Sequence, residues 1–531
     1  MINEKLTNKI KYYLLILFVV IQPVLDIHYL YTEEVVNAIG FSPSTIIRIG
    51  IVAILGILTI LTVKDKKSWI FISIYLSLVG IYTVLHLLNS RDFYTLVPND
   101  LGYSVVGELF YIIRMLIPMA IIFITMTMDI SKKDYGKAIK SILLIISLSI
   151  ILTNIFKVSL ESYGTDIISG NIFDWFNNGY EKYNYIQLAS RGPFNAANQI
   201  SALLILLLPI MFAIYTYDKT KINLFTILST ILSMIMIGTK VALYGTIIVV
   251  IIYITMLTVA KILKKNIIID KKIFTVIALA MLLIGGLYAK SPSINRGSVE
   301  SGYKANTEKE EAKKENIKEE TNENNEVDKE EINENNKVHK EETNKDTNKI
   351  PTNGGMVQYV ADNFIEAKIK YDFITKHYPY QYDPEFWIEM MELPVQERTD
   401  YRFLELKMHQ RVKELNNNPG DDWFGIGFTR TEHLFTLERD FIYQYYSVGL
   451  IGVILFLGPY LIMTLVCLFR IALKLREKFN INNSMTCFGI VFILAVSVYS
   501  GNIMDALTIT IILGFIIGKL IRDLFIIENK I

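Results

Sequence analysis

Cysteine is nearly absent from this chain: Cys467 and Cys487 are the two in 531 residues, both at apolar helix positions or helix starts. A disulfide framework is therefore not expected, and no metal-ligand spacing exists. Net charge is almost absent as well. The 53 basic and 52 acidic side chains leave +1, a balance that hides bases gathered in some short loops and acids elsewhere. The total thus says nothing about partners, and no nucleic-acid partner is expected. No cleavable leader is expected: Lys5, Lys9 and Lys11 precede an apolar stretch too long for one, without a small-residue cleavage site. No repeat relates the two halves of the chain, as a twelve-span transporter would predict.

What the chain has in excess is apolar surface. At 52% hydrophobic and 12% aromatic, with mean hydropathy +0.36, it is too apolar for a soluble protein of this length. Segments near ~20 residues with few charges recur, long enough to cross a bilayer as helices. The pattern predicts an all-α polytopic membrane protein of twelve spans: 12–31, 44–63, 68–88, 104–128, 138–157, 194–216, 222–238, 241–260, 273–289, 441–468, 485–503 and 507–525. Spans one to nine then occupy 1–289, a large loop 290–440, and spans ten to twelve 441–531.

The lysines set the expected orientation. With the N-terminus in the cytoplasm, alternate loops carry Lys64, Lys66 and Lys67; Lys132, Lys133 and Lys137; Lys219 and Lys221; Lys261 through Lys272; and Arg470 through Lys478, with Arg522 in the tail. Short basic loops belong on the cytoplasmic side. The opposite set is poorer in bases, and 158–190 carries Glu161, Asp166, Asp174 and Glu181. The large loop is therefore expected outside the cytoplasm. A composition rich in Ile, Lys and Asn fits an AT-rich bacterial genome, so the bacterial cytoplasmic membrane is the expected location.

That loop has two parts. From Glu300 to Lys349 it is Glu, Lys and Asn of low complexity, with sixteen acids against ten lysines. It cannot bury enough surface to offset chain entropy, and disorder is expected for 300–349. From Pro351 onward apolar residues return at helical spacing, at Val360, Phe364, Ile365 and Ile369, then at Phe403, Leu406, Val412 and Leu415. This predicts a small helical cap over 355–440, with Trp387 and Trp423 in its core or interface.

Charges inside spans are costly and so mark function or pairing. Asp26, His28, Arg48, Glu108 and Arg114 stand at such positions, and Asp505 lies between the last two spans. Glu108 and Arg114 are six residues apart and so do not form one helical pair; each is expected to have a partner on another helix. Arg48 is also placed to snorkel toward headgroups.

Three outward motifs are sharper. Ser190-Arg191-Gly-Pro-Phe-Asn195-Ala-Ala-Asn198-Gln199 opens span six. Arg191 suits a phosphate there, and the Asn195 and Asn198 amides suit sugar hydroxyls. Gly238-Thr239-Lys240 turns between spans seven and eight and puts a base on the side where bases are scarce. The third motif runs from Gly425 and Gly427 through Arg430, Glu432 and His433 to Asp440, then Gly449-Leu-Ile-Gly452. Its glycines allow backbone conformations other residues resist, and His433 is suited to act as an acid or base near neutral pH.

In this order the three motifs resemble the O-antigen ligase and Wzy-type O-antigen polymerase family of bacterial membrane glycosyltransferases. The resemblance covers most of the chain: the Gly-Pro-Phe-Asn-x-x-Asn opening, the short outer turn, the single large loop, and the Gly-x-Gly, His, Gly-Leu-Ile-Gly close. It implies a GT-C-like fold, an undecaprenyl-pyrophosphate-linked glycan as donor, a glycan acceptor, a membrane-lipid environment, and no cofactor or metal. Residue by residue, it implies catalysis by His433 and donor contacts from Lys240 and Arg402; Arg430 of the third motif is a further expected substrate-binding residue. Lys240 stands where many members carry a Ser-Arg pair, which weakens a bidentate phosphate contact. The Glu/Lys/Asn insert is foreign to the pattern and should be dispensable.

The chemistry agrees with the resemblance. Outside the cell there is no nucleotide sugar, so a glycosyltransferase there must draw its donor from a lipid carrier. Pyrophosphate needs cations as it leaves, and the acceptor hydroxyl needs a base. Inversion is expected, because no covalent nucleophile stands out. Polymerase and ligase differ in the acceptor and stay open at this level. A multi-pass envelope transporter, a peptidoglycan-type glycan polymerase and an envelope scaffold are the rival readings.

Overall fold

Polar residues that close five of the loops also start the helices that follow. Asp65 accepts from the Lys67 and Ser68 N–H groups to cap Lys66–Asn89. Ser104 caps Val105–Met126, Ser131 caps Lys132–Ile155, Thr239 caps Lys240–Ile262 and Asp270 caps Lys271–Tyr288. Each satisfies amide donors that a helix start leaves open. The computed structural model describes residues 4–27, 42–265, 267–302, 353–473 and 475–526. His28 lies outside the described residues, as does the charged insert expected to be disordered, from 303 onward.

Every expected span meets a helix. Among the described residues nine helices are long and apolar enough to cross a membrane. The other three expected spans meet shorter helices: Glu4–Val20 of 17 residues, Lys221–Ile237 of 17 and Leu507–Ile521 of 15. The first is followed by a turn and Gln22–Leu25, with Pro23 at its start. The chain is an all-α polytopic membrane protein, and among the described residues its one sheet is a two-stranded ribbon.

The described chain divides into two compact units, one of residues 1–93, 102–295 and 417–531, the other of 94–101 and 296–416. In the first, Ala197–Tyr217 is enclosed on all sides, and Ala202 to Leu208 are wholly buried. It packs against Ile481–Tyr499, Lys240–Ile262, Lys221–Ile237 and Lys132–Ile155. By contrast Lys66–Asn89 and Lys271–Tyr288 turn large apolar side chains outward, such as Phe71 and Leu282, as lipid-facing helices do. Since lipid is as apolar as leucine, close packing must come from small residues. Gly514 and Gly518 supply it against Val105–Met126: a Cβ there would stand 2.8 Å from the Pro118 carbonyl and 2.6 Å from that of Ile122.

Glu108 finds its partner on another helix, as expected, whereas the partner of Arg114 lies in the turn before Leu507–Ile521. Arg114 meets Asp505 at 3.0 Å and Glu108 meets His86 at 3.0 Å. Arg48 does not snorkel: it is buried, 2.9 Å from Asp26 and 2.8 Å from the Gln22 amide oxygen.

The second unit is a small helical body. Trp387 sits in its core and donates to the Tyr378 carbonyl at 2.8 Å. Asp383 accepts from the Tyr378 hydroxyl at 2.7 Å and from two Arg411 nitrogens at 2.8 and 3.0 Å. In Tyr401–Asn416 the buried stripe is Leu404, Met408 and Val412: Val412 was expected, while Leu404 and Met408 stand in place of the expected Phe403 and Leu406. Residues 417–440 fold with the first unit, where Trp423 is 53% exposed.

Candidate active site

The two glycine pairs of the third motif form one crossing. Asp440–Phe456 is broken at Gly449, whose φ is 69° and ψ 179°. The extended segment Gly425–Gly427 takes up carbonyls at the break: the Ile426 N–H donates to Tyr446 at 2.8 Å and the Gly427 N–H to Ser447 at 3.2 Å. The Tyr82 hydroxyl donates to the next carbonyl, Val448, at 2.6 Å. Irregular backbone at membrane depth is tolerated where protein satisfies it, and here it is satisfied. A Cβ on Gly449 would stand 2.3 Å from the Phe424 nitrogen, and one on Gly425 2.5 Å from the Ser447 oxygen. Positive φ and backbone contact together require glycine at both places.

The crossing delivers the short helix Phe428–Leu434. Glu108 sits at its start and accepts from the Phe428 N–H at 2.9 Å, the Thr429 N–H at 2.8 Å and the Thr429 hydroxyl at 2.7 Å. His86 braces that carboxylate through Nε2, while its Nδ1 lies 2.6 Å from the Phe424 carbonyl. Tyr111 stacks on Phe428 with ring centroids 3.7 Å apart. Arg430 is fully buried and donates to the Ile426 and Ser90 carbonyls at 2.8 and 2.9 Å. Its guanidinium lies 4.0 Å from the Phe93 ring and 4.1 Å from that of Tyr103. Arg430, expected to bind substrate, thus clamps its own loop.

With Phe428, Arg430, Thr431 and Leu434 turned inward, Glu432 and His433 are the exposed pair of this helix. His433 stands beside the turn at Gly102, where a Cβ would be 3.5 Å from its Nδ1. Sequence reasoning gave Glu432 no role, although it adjoins His433 and Arg114 and Asp505 act on its charge. Partial burial raises the Glu432 pKa above its ordinary value, aided by the Asp505 and Glu108 carboxylates and opposed by Arg114. Because the raised value disfavours the ionised form in the folded state, Glu432→Gln is expected to raise the unfolding temperature at about pH 7. The gain should vanish near pH 4, where the native carboxyl is protonated and the penalty gone. Thermal unfolding of the purified protein at both pH values checks this; an equal gain at both contradicts it.

The first and second motifs meet at another place. Arg191 lies in a strand, Ser190–Gly192, paired antiparallel with Leu160–Glu161. It is almost buried, and its charge opposes the rise in the Glu161 pKa caused by burial and Asp166. Gly238, at φ 70°, packs against the same segment: a Cβ there would meet that of Ala189 at 3.1 Å. The Tyr163 hydroxyl donates to the Gly238 carbonyl at 2.7 Å, and Thr239 bonds Ser201 of span six at 2.8 Å. Lys240 follows as an exposed first-turn residue. Asn195 is exposed and Asn198 half-buried.

One turn joins these elements to the third motif. The Gln199 amide donates to the Asn502 carbonyl at 2.9 Å, and Asp440 accepts from the Ile503 N–H at 3.1 Å. Asp505 of that turn holds Arg114. Arg402 belongs to the second unit, in the first turn of Tyr401–Asn416. A family model described as O-antigen ligase like membrane protein matches residues 7–527, nearly the whole chain. No curated protein matches.

Proposed function

The chain belongs to the O-antigen ligase like membrane proteins, a family of membrane glycan processing, and from that premise we propose that it is a metal-independent glycosyltransferase. Its donor is a glycan on undecaprenyl pyrophosphate, and its acceptor is a sugar hydroxyl outside the cytoplasm, at the bacterial cytoplasmic membrane. The acceptor oxygen attacks the anomeric carbon, the bond from that carbon to the pyrophosphate oxygen breaks, and undecaprenyl pyrophosphate leaves. His433 takes the hydroxyl proton and returns it to water. Arg191, Lys240 and Arg402 hold the pyrophosphate as its charge grows, while Asn195 and Asn198 bind sugar hydroxyls. Arg430 positions the loop. A second lipid-linked chain as acceptor makes the protein a polymerase, and a separate envelope anchor makes it a ligase.

The observation that carries this reading is the exposed His433 on a helix that Phe428, Arg430, Thr431 and Leu434 anchor inward. The turn at 502–505, beside that segment, also meets span six just after Arg191. A titration tests the cations. Arg191→Gln, Lys240→Gln and Arg402→Gln should each weaken binding of a lipid-pyrophosphate donor by about tenfold or more, the worth of a charge-assisted contact. Lys240→Arg should bind at least as well as the native protein. Unchanged affinity in all three neutral variants contradicts the assignment.

A further inference from the structure

Five lysines, Lys132, Lys133, Lys137, Lys140 and Lys519, line one cavity of about 730 Å³ against two aspartates, Asp218 and Asp523. The cavity lies at the start of Lys132–Ile155, whose far end leads to the ribbon that carries Arg191. That helix has 24 residues and so is about 36 Å long at 1.5 Å per residue. The cavity is thus separate from the site described above. Its size falls in the range of small-molecule sites, about 300–1,000 Å³.

The lysines are only part of its field. Lys132 and Lys133 begin their helix, Asn223 lies in the first turn of Lys221–Ile237, and Asn482 and Asn483 lie in the first turn of Ile481–Tyr499. Three helix starts therefore border one cavity, and each contributes partial positive charge. Several lysines are held in place. Lys140 donates to the Asn223 amide oxygen at 3.3 Å, Lys137 stands 3.6 Å from Asp134, and buried Lys519 pairs with Asp523. Lys132 and Lys133 have no ion-pair partner among the described residues. Basic loops that only fix orientation have no need of a cavity, or of amides and helix starts around it.

We propose that this cavity binds a phosphate-bearing anion, either a lipid headgroup or a soluble phosphate compound. Lysines act as point charges that bind phosphate without a fixed fork geometry, and the asparagine amides add neutral donors. The test uses the full chain purified in neutral detergent, carrying Arg191→Gln, Lys240→Gln and Arg402→Gln so that those cations do not contribute. Inorganic pyrophosphate is titrated calorimetrically. Short-chain phosphatidylglycerol and phosphatidylcholine are compared by native mass spectrometry. Pyrophosphate binding identifies a soluble ligand, and retention of phosphatidylglycerol over phosphatidylcholine identifies a headgroup. Adding Lys133→Gln and Lys140→Gln should weaken whichever binds by about tenfold or more, Asn482→Asp should weaken it independently, and Lys133→Arg with Lys140→Arg should keep it. Failure of both probes to bind overturns the proposal, as does equal binding by the glutamine and aspartate variants.

Discussion

His433→Ala is expected to lower glycan transfer by about 10²–10⁴, the usual worth of a positioned acid or base, and to leave the protein folded and inserted. The two halves of that expectation come from one piece of geometry. His433 is exposed, while Phe428, Arg430, Thr431 and Leu434 anchor its helix inward and Glu108 holds the helix start. Removing the imidazole therefore takes away chemistry without opening a core. Surface polysaccharide measured at equal expression decides the matter, with thermal unfolding as the control. Normal polymer from the variant would remove His433 from the mechanism. Lost polymer with a large drop in unfolding temperature would make it a packing residue.

The second large effect is on the scaffold. Gly449→Ala should destabilise the protein by about 3–5 kcal/mol, in the range where a named steric mechanism is required. Two costs act together: a φ of 69° that alanine resists, and a Cβ 2.3 Å from backbone atoms of Trp423 and Phe424. Neither obstacle can move without breaking the crossing. Gly458→Ala is the matched control. No atom lies closer than 3.9 Å to a Cβ there, and the residue starts Gly458–Leu473 in helical backbone, so alanine should cost little or add up to about 1 kcal/mol. Yield and unfolding temperature of the two variants check the pair; equal behaviour would mean that the crossing is dispensable.

Much of this fold was legible in the sequence because its signals are one-dimensional. Runs of apolar residues set the spans, and Asp65, Ser104, Ser131, Thr239 and Asp270 mark where five of them start. Charges in apolar runs announced Glu108 and Arg114, though not their partners. His86 gave no warning, since a lone histidine in a span reads equally as packing. Which spans are enclosed and which face lipid was not legible either. Ala197–Tyr217 and Lys66–Asn89 are both apolar all round, and apolar side chains suit a neighbouring helix and a lipid tail alike. The glycines of the third motif were visible as unusual; that Gly425 faces Ser447 and Gly449 faces Phe424 is a tertiary fact. Arg430 shows the limit of motif reading: its place in the third motif suggested substrate binding, yet two carbonyls and two rings surround it. In the second unit the helix Tyr401–Asn416 was expected; Val412 is buried as read, while Leu404 and Met408 rather than Phe403 and Leu406 complete its buried face.

Bond formation between a lipid-linked donor and a sugar acceptor is the claim on which the rest depends. It is measured by reconstituting the purified chain in vesicles with an undecaprenyl-pyrophosphate-linked glycan and an acceptor, in the presence of a metal chelator. The products are followed by mass spectrometry. The account predicts one undecaprenyl pyrophosphate released per glycosidic bond formed, insensitive to the chelator and slowed by about 10²–10⁴ in His433→Ala. Glycan that crosses the membrane with its pyrophosphate linkage intact, and no new bond, would contradict it.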